Sequence, residues 1–393
     1  MSNTEVEALR TIGLFNDSFP PIMDGVSMTL QNYAYWLNKK AQPVCVITPK
    51  SPNYTDNEPY PVLRYTSVPI IGRKPYRLGL PKMDLSFKTE LNKISFGLVH
   101  AHSPFSAGNI ALNIAKNQHI PFVATFHSKY RDDFEHSVHN KRIARLMTNE
   151  VIRFFEKADE VWIPQASVEE TIREYGYKGK LEVVDNGNDF SSSEPVEPIK
   201  KQARKTLDIN EKETVLLFVG QHVWEKNTRL IVESLELIKD LPFKMFFIGT
   251  GYAADDLKQL AEKLDLTSKV EFVGIITERE ILKQYYAAAD LFLFPSIYDN
   301  APLVLREAAA LQTPAVLING SSSAENIIND FNGFLTENTM ESFAAKLREL
   351  INSPEKIKIA GLNASQSLAR SWESITEEVL DRYQKLMKRT WGR

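Results

Sequence analysis

The chain has 393 residues, and its 47 basic and 50 acidic side chains give a formal net charge of −3. This length exceeds what one hydrophobic core usually serves, so we expect two domains. The near balance of charge gives no reason to expect nucleic-acid binding. The single cysteine, Cys45, excludes a disulfide framework and fits a reducing cytosol, and we expect its side chain to serve in packing.

The predicted elements alternate short apolar runs with longer amphipathic stretches, a pattern typical of parallel sheets covered by helices. The predicted strands form two series, 12–15, 44–48, 98–101, 122–126, 160–164 and 181–184, then 215–220, 243–248, 270–273, 290–295 and 315–318. The segment 191–205 is rich in Ser, Pro and charge and is predicted to be the linker. We therefore predict an α/β chain with one doubly wound domain at 1–190 and a second at 191–369. A last helix, at about 370–393, is predicted to pack back on the first domain.

Doubly wound domains bind ligands at the carboxyl ends of their strands, so the residues that follow each strand are the candidates for a site. In the first series these are Asp17, Gly25, His102 and His127. Gly25 has no Cβ and lets the backbone come close to a ligand, although a simple tight turn explains it almost as well. His102 is a candidate sugar contact or base, and a satisfied structural histidine is the equal alternative.

In the second series the loop after strand 215–220 carries Gly220, Gln221, Lys226 and Asn227. Lys226 is suited to neutralise a diphosphate, but on its own a solvated lysine is the better interpretation. Further on, Gly251 belongs to a glycine pair that resembles a dinucleotide fingerprint only in part, so it indicates a close backbone approach.

The segment 294–317 is the strongest single signal, because a buried strand runs through a polar loop into a helix. Pro302 suits the first helical position, which leaves the amides of Leu303 and Val304 free to bind an anion. Asp299 lies in the loop. Glu307 lies deeper in the helix and is either a partner for ligand hydroxyls or an acid on the solvent face.

Two basic and aromatic segments, 70–82 and 129–157, lie in the first domain. The second predicts an amphipathic helix, for which an ordinary surface helix is favoured and a helix lying on an anionic membrane is the alternative. No run of about 20 apolar residues exists, so we expect a cytoplasmic protein that is not integral to a membrane. No Asp-x-Asp pair of the kind that holds a divalent ion on a diphosphate is present, so no metal is expected. The absence of a nucleophile elbow and of a phosphate-binding P-loop motif weakens a hydrolase or nucleotide-triphosphatase interpretation.

Taken in order, several motifs make the chain resemble the retaining glycosyltransferases of family 4, which have the GT-B fold of two facing Rossmann-like domains. The motifs are FNDSFPPIMDGV, LVHAHSPF, PFVATFHS, VVDNGND, LLFVGQHVWEKN, FIGTGY, PSIYDNAPLVLREAAALQTPAVL and FNGFL. The resemblance implies transfer of a sugar from a nucleotide diphosphate sugar, with UDP as the expected nucleotide, to an acceptor hydroxyl. Because the first domain is basic and aromatic, a glycerolipid or a lipid-linked or cell-envelope glycan is the preferred acceptor, and a soluble acceptor is the rival.

The resemblance also assigns roles. Glu307 would bind the ribose, Lys226 the diphosphate, and His102 the donor sugar near the reacting carbon. The full set it implies is catalytic His102, Asp299 and Lys226, donor-binding Gly25, Gly220, Gln221, Lys226, Asn227, Gly251, Leu303, Val304 and Glu307, and acceptor-binding Asp17 and His127. Two positions depart from the family pattern: Gln221 replaces an arginine and Asp299 replaces a glutamate. These departures keep two alternatives open, a nucleotide-sugar binding protein without turnover and a GT-B epimerase or phosphorylase.

Overall fold

The computed structural model describes residues 10–70, 75–191 and 194–391. The chain divides into two compact units, one running to Asn186 and resuming at Trp372, the other spanning Gly187–Ser371. Of the basic segment 70–82, residues 71–74 lie outside the described residues. None of the described helices is both long enough and apolar enough to cross a membrane.

The first unit is built on a seven-stranded sheet of strands β1 Thr11–Phe15, β2 Val44–Pro49, β3 Val62–Tyr65, β6 Phe96–Ala101, β7 Phe122–Thr125, β8 Glu160–Ile163 and β9 Leu181–Val183. An antiparallel pair, β4 Ser67–Pro69 and β5 Arg77–Gly79, lies outside this sheet. The order in the sheet is β3-β2-β1-β6-β7-β8-β9, and every neighbouring pair is parallel. The helices are Gly25–Lys39, Leu85–Leu91, Ser106–Gln118, Tyr130–Val138, Lys141–Phe155, Val168–Glu174 and Trp372–Trp391. Cys45 is a buried, free thiol in β2, as its packing role predicts.

The second unit has a six-stranded sheet of strands β10 Thr214–Val219, β11 Phe243–Ile248, β12 Val270–Gly274, β13 Leu291–Phe294, β14 Ala315–Ile318 and β15 Gly333–Thr336. Their order is β12-β11-β10-β13-β14-β15, again parallel throughout. The helices are Val196–Thr206, Thr228–Glu236, Ala254–Lys263, Arg279–Ala288, Leu303–Ala310, Met340–Ile351 and Pro354–Leu368. Both units are therefore doubly wound α/β layers, as the sequence predicts.

The predicted linker is wrong over most of its length, because Val196–Thr206 is a helix. Its cationic side chains are what attach it to the second unit. Lys200 Nζ lies 2.7 Å from Asp290 Oδ1, and Arg204 also pairs with this carboxylate. Ala203 is buried beneath them. A Ser- and Pro-rich composition therefore marks only the entry to this helix.

The strand order places the candidate site. In each sheet the first strand, β1 or β10, has the second strand on one side and a later strand on the other, so the order reverses between β1 and β6 and between β10 and β13. Ligands bind at the carboxyl ends of strands at such a reversal. The predicted site residues follow these strands, with Asp17 after β1, His102 after β6, Lys226 after β10 and Asp299 after β13.

Candidate active site

Lys226 and Asp299 meet at the carboxyl edge of the second sheet. Lys226 Nζ lies 2.8 Å from Asp299 Oδ1 and 2.9 Å from Oδ2, and the two side chains are 16% and 19% exposed. The ammonium also lies 5.4 Å from the ring centre of Phe294. Ser296 Oγ donates to Asp299 Oδ2 at 2.6 Å, which fixes the carboxylate. The interpretation of Lys226 as a solvated surface lysine is therefore wrong.

The helix Leu303–Ala310 begins four residues after Asp299, in the loop that follows β13. Pro302 is its N-cap residue, with φ −68° and ψ 129°, so the helix starts one residue later than the sequence predicts. Among the described residues, none accepts a hydrogen bond from the amides of Leu303 or Val304. Free amides at a helix N-terminus carry partial positive charge and attract anions. Lys226 and this helix thus supply two independent anion-binding features on neighbouring loops.

Glu307 is buried, at 3% exposure, which excludes the solvent-face interpretation. Its Oε1 accepts from Arg279 Nη2 at 2.6 Å and its Oε2 from the Tyr286 hydroxyl at 2.8 Å. Burial raises the pKa of Glu307, and the Arg279 guanidinium opposes that rise. Each carboxylate oxygen accepts more than one hydrogen bond, so acceptor capacity remains for a ligand hydroxyl.

The glycines of this unit have structural reasons for being glycine. Gly249 and Gly220 have φ of +124° and +154°, and a Cβ on Gly249 would overlap the carbonyl oxygen of Gly220. A Cβ on Gly251 would overlap the carbonyl oxygen of His222. The close approach predicted for Gly251 is therefore one between two loops of the protein. Gln221 is exposed in the first of these loops.

Asn227 ties the Lys226 loop to its surroundings. It has a left-handed φ of +55°, which asparagine tolerates better than most residues. Its side-chain amide donates to Asn338 Oδ1 at 2.8 Å. This contact crosses from the loop after β10 to the loop after β15, so Asn227 shapes the backbone on which Lys226 stands.

In the first unit, His102 and His127 form a pair. His102 Nδ1 lies 3.0 Å from His127 Nε2, and the two rings stack with their centres 5.2 Å apart. Burial is the main cause that lowers the pKa of His102 well below its usual value and the pKa of His127 to about 3. Both rings are therefore neutral near pH 7. His102 Nε2 is buried and has no hydrogen-bond partner among the described residues.

His100 lies directly behind this pair, with its ring centre 4.1 Å from that of His102, as their spacing on one strand face predicts. Its Nδ1 lies 2.5 Å from the Tyr383 hydroxyl and its Nε2 lies 2.7 Å from Thr125 Oγ1. Tyr383 belongs to the last helix, so the C-terminal segment fixes the position of the His100 ring, against which His102 packs. The described residues contain no group of three or more His, Cys, Asp or Glu arranged to hold a metal ion.

Asp17, predicted to bind the acceptor, is engaged within its own unit. Ser103 Oγ donates to its Oδ2 at 2.5 Å, Ser106 donates to Oδ1, and the amide of Ala107 lies 3.1 Å from Oδ1. The carboxylate thus caps the helix Ser106–Gln118. Burial raises the pKa of Asp17 and these hydrogen bonds oppose the rise. An acceptor contact by Asp17 remains a prediction.

Gly25 is the first residue of the helix Gly25–Lys39, where Asp24 is the N-cap and its Oδ1 accepts from the Ser27 amide at 2.7 Å. A Cβ built on Gly25 would meet nothing within 4 Å, and its φ is not in the left-handed region. Neither packing nor backbone conformation within the described residues therefore requires glycine here. Approach of a ligand remains the predicted reason.

Family models match both units. The model described as Glycosyltransferase Family 4 matches residues 23–192, and the model described as Glycosyl transferases group 1 matches residues 199–367. The chain belongs to the group 1 and family 4 glycosyltransferases. It has the GT-B fold of that family.

Among curated proteins, this glycosyltransferase is 27% identical over 352 residues to an alpha-monoglucosyldiacylglycerol synthase of Streptococcus pneumoniae, covering 88% of the chain and 79% of the relative. The synthase of the same name from Acholeplasma laidlawii is 24% identical, covering 96% and 99%. Among solved structures, sucrose-phosphate synthase of Thermosynechococcus elongatus has a TM-score of 0.81 at 20% identity over 96% and 99% of the chains. Anabaena HepE, solved with UDP-glucose, has a TM-score of 0.73 at 17% identity over 95% and 99%.

Sequence reasoning missed the groups that hold the predicted residues in place. Arg279 and Tyr286 hold Glu307, and Tyr383 holds His100. One signal was available for the first pair. Arg279 and Tyr286 are seven residues apart and so lie on one face of a helix that follows a strand end at the same sheet edge.

Proposed function

We propose that the protein transfers a hexose from a UDP-sugar to an acceptor hydroxyl with retention at the anomeric carbon. The observation that carries the proposal is Lys226 beside the free amides of Leu303 and Val304, at the point where the order of the second sheet reverses. A diphosphate is the anion that suits an ammonium and a helix N-terminus acting together. Breaking the bond between the anomeric carbon and the diphosphate increases charge on the leaving oxygen. These donors stabilise that charge.

We propose further that no metal ion takes part. A divalent ion in such a reaction neutralises the diphosphate, and here Lys226 and the helix amides supply positive charge to the same group. We assign His102 the contact with the donor sugar, because its Nε2 is unpaired among the described residues and needs a partner. The ring is neutral near pH 7, so it acts as a hydrogen-bonding group without a charge.

The preferred acceptor is a glycerolipid, and the relatives named as monoglucosyldiacylglycerol synthases support this choice. The helix Lys141–Phe155 supports it independently. Ile143 and Leu146 on this helix are 47% and 65% exposed. Its first turns also carry Lys141, Arg142 and Arg145. Exposed apolar side chains next to basic ones suit the surface of an anionic membrane.

Nucleotide binding and transfer are tested with the purified full chain. We expect UDP to raise the melting temperature more than ADP, GDP or CDP does. UDP-glucose and diacylglycerol vesicles should then yield free UDP and a glycosylated lipid, with or without EDTA. Binding of UDP without release from UDP-glucose would instead indicate a binding protein, and a changed donor sugar without acceptor would indicate an epimerase. Loss of activity in EDTA, restored by a divalent ion, would refute the metal-free proposal.

Membrane binding is tested separately by flotation with vesicles containing anionic phospholipid. At low salt the wild-type chain should float, and a variant with Ile143→Ser and Leu146→Ser should float less. The matched control is Ile281→Ser, since Ile281 is 45% exposed on a helix of the other unit. Absence of the wild-type protein from the lipid fraction at low salt would refute the membrane contact and leave a soluble acceptor.

A further inference from the structure

Glu307, Arg279, Asp189 and Tyr286 form a hydrogen-bonded cluster within the second unit. Arg279 lies at the centre of it, between two carboxylates. Its Nη2 lies 2.6 Å from Glu307 Oε1. The same Nη2 also lies 2.5 Å from Asp189 Oδ1, and Nε lies 2.8 Å from Asp189 Oδ2. The face of the guanidinium lies 4.4 Å from the ring centre of Phe190. The group is thus fixed on its edges and on one face.

The helix Arg279–Ala288 delivers two donors to one carboxylate. Tyr286 lies two turns after Arg279, on the same side of the helix, and its hydroxyl lies 2.8 Å from Glu307 Oε2. Tyr286 is fully buried, so its hydroxyl has a fixed position. One oxygen of Glu307 is therefore held by a charged donor and the other by a neutral donor. Rotation of this carboxylate would break both hydrogen bonds.

We propose that Arg279 is a positioning residue that sets the Glu307 carboxylate for the two hydroxyls of the donor's ribose, and so determines the selectivity for ribonucleotides. The inference rests on the proposed function, in which Glu307 meets the ribose. A carboxylate discriminates between a hydroxyl and its absence only when its oxygens are held where the hydroxyls come. Arg279 supplies this constraint and also neutralises a charge that burial alone would make costly.

Asp189 controls Arg279 in turn. A bidentate pairing fixes the plane of a guanidinium, whereas a single hydrogen bond leaves it free to rotate. Without Asp189, the contact from Nη2 to Glu307 would remain possible, but the plane would be set only by the Phe190 ring. Arg279→Lys keeps the charge and loses this planar geometry. These two changes therefore separate charge compensation from orientation.

The test is calorimetric titration of UDP, 2′-deoxy-UDP and 3′-deoxy-UDP into the full chain and its variants. The variants are Arg279→Ala, Arg279→Lys and Asp189→Asn. Arg348→Ala is the matched control, because Arg348 makes a similar bidentate pair with Asp240, with two contacts of 2.7 Å, on the surface of the same unit. Melting temperature and circular dichroism identify any variant that fails to fold.

Wild-type protein should bind UDP about tenfold or more tightly than either deoxy nucleotide, because a buried acceptor left without its donor is costly. In Arg279→Ala the preference should fall to within about twofold, because UDP affinity falls about fivefold while the affinity for the deoxy nucleotides is nearly kept. Arg279→Lys and Asp189→Asn should lie between, and Arg348→Ala should match wild type. If Arg279→Ala does not fold, these two milder variants decide the question.

Two results would overturn the inference while the proposed function stands. One is a preference for UDP that survives in Arg279→Ala, or in Asp189→Asn and Arg279→Lys, but disappears in Glu307→Gln. The other is an equal loss of affinity for all three nucleotides, which marks a general distortion of the unit. A wild-type protein that binds UDP without preferring it over the deoxy forms refutes the ribose contact itself, and the inference fails with it.

Discussion

Replacement of Lys226 by methionine tests the diphosphate site most directly. The change keeps an unbranched side chain, one atom shorter, and removes one charge and its N–H donors. A hydrogen bond to a charged group contributes about 1.5–3 kcal/mol. Two unit charges about 4 Å apart at an effective dielectric constant of about 20 interact by about 4 kcal/mol. A loss of about 3–4 kcal/mol in the transition state corresponds to a fall of about 10²–10³ in kcat/KM.

Lys226→Met should lower turnover much more than it lowers the stability of the folded protein. Lys226 and Asp299 are partly buried, so removing one partner costs roughly 1 kcal/mol of stability, or about 2–4 °C in melting temperature. Lys244→Met is the matched control. Lys244 Nζ also pairs with a carboxylate, Glu271 at 3.1 Å, and also lies over a ring, Phe246 at 5.6 Å. It should lose stability to a similar or smaller extent and keep full activity.

The assay is release of UDP from UDP-glucose in the presence of acceptor, measured for each variant over a range of donor concentrations. Lys226→Met leaves Asp299 unpaired and facing the diphosphate, so part of its defect is repulsion. The double variant Lys226→Met/Asp299→Asn should therefore bind UDP better than Lys226→Met does. Unchanged donor turnover in Lys226→Met would refute the assignment of Lys226 to the diphosphate.

Three further predictions concern residues outside this pair. Gly25→Ala should fold with unchanged stability, because a Cβ there meets nothing within 4 Å, but its donor turnover should be weaker. Gly251→Ala should be destabilised by more than about 1 kcal/mol, because its Cβ would overlap a carbonyl oxygen. Urea unfolding and enzyme kinetics of both variants check this, and equal stabilities of the two would contradict it. Burial raises the pKa of the Cys45 thiol to about 12, so a thiol reagent should label the chain only after urea unfolds it. Rapid labelling of the native protein would contradict the buried position of Cys45. Burial lowers the pKa of His100 well below its unfolded value of about 6.5, so His100 alone contributes a loss of stability of about 1.4 kcal/mol per pH unit as pH drops below about 6.5, in addition to the losses from His102 and His127. Urea midpoints at about pH 7 and 5.5 should therefore differ less in His100→Gln than in wild type, and identical differences would exclude His100 as a cause.

The central strands were predictable because they are buried on both faces and therefore read as continuous apolar runs. Strands β10 and β13, with LLFV and LFLF, have almost no polar residue to obscure the signal. Strand β3 was missed because its sequence, VLRY, contains an arginine that interrupts the apolar run. Arg64 pairs with Asp56 and with the carbonyl oxygen of Pro20, contacts that no local pattern reveals.

Helix Val196–Thr206 was missed for a related reason. Its local composition, with Ser, Pro and charge at the start, is typical of a linker. What holds the helix is an acid about 90 residues further along the chain, since Lys200 and Arg204 both reach Asp290. The same carboxylate accepts from the amide of Val215 at 2.8 Å, at the start of β10. Such long-range ion pairs override local propensity, and a single sequence does not show that Lys200 and Arg204 come close to Asp290 in the fold.

The positions of the candidate site residues followed from topology, but their partners did not. Strand ends predicted where Asp17, His102 and Lys226 would stand, because parallel strands all end at one edge. The partner of each depends on which loops meet there. Asp17 caps a helix N-terminus, and Lys226 pairs with Asp299, which the resemblance had assigned a catalytic role of its own. Role assignments from motif likeness are therefore less secure than placements.

The pairing of Lys226 with Asp299 gives a reason for the shorter acid at this position. An ammonium has three N–H donors, and the two oxygens of Asp299 at 2.8 and 2.9 Å engage at most two of them. One donor remains for a phosphate oxygen. Ser296 holds the Asp299 carboxylate at 2.6 Å, so the acid restrains the lysine in turn. On the proposed function, a fixed lysine would lose less rotamer freedom on meeting the diphosphate, and this would compensate in part for the arginine that the resemblance expects at Gln221.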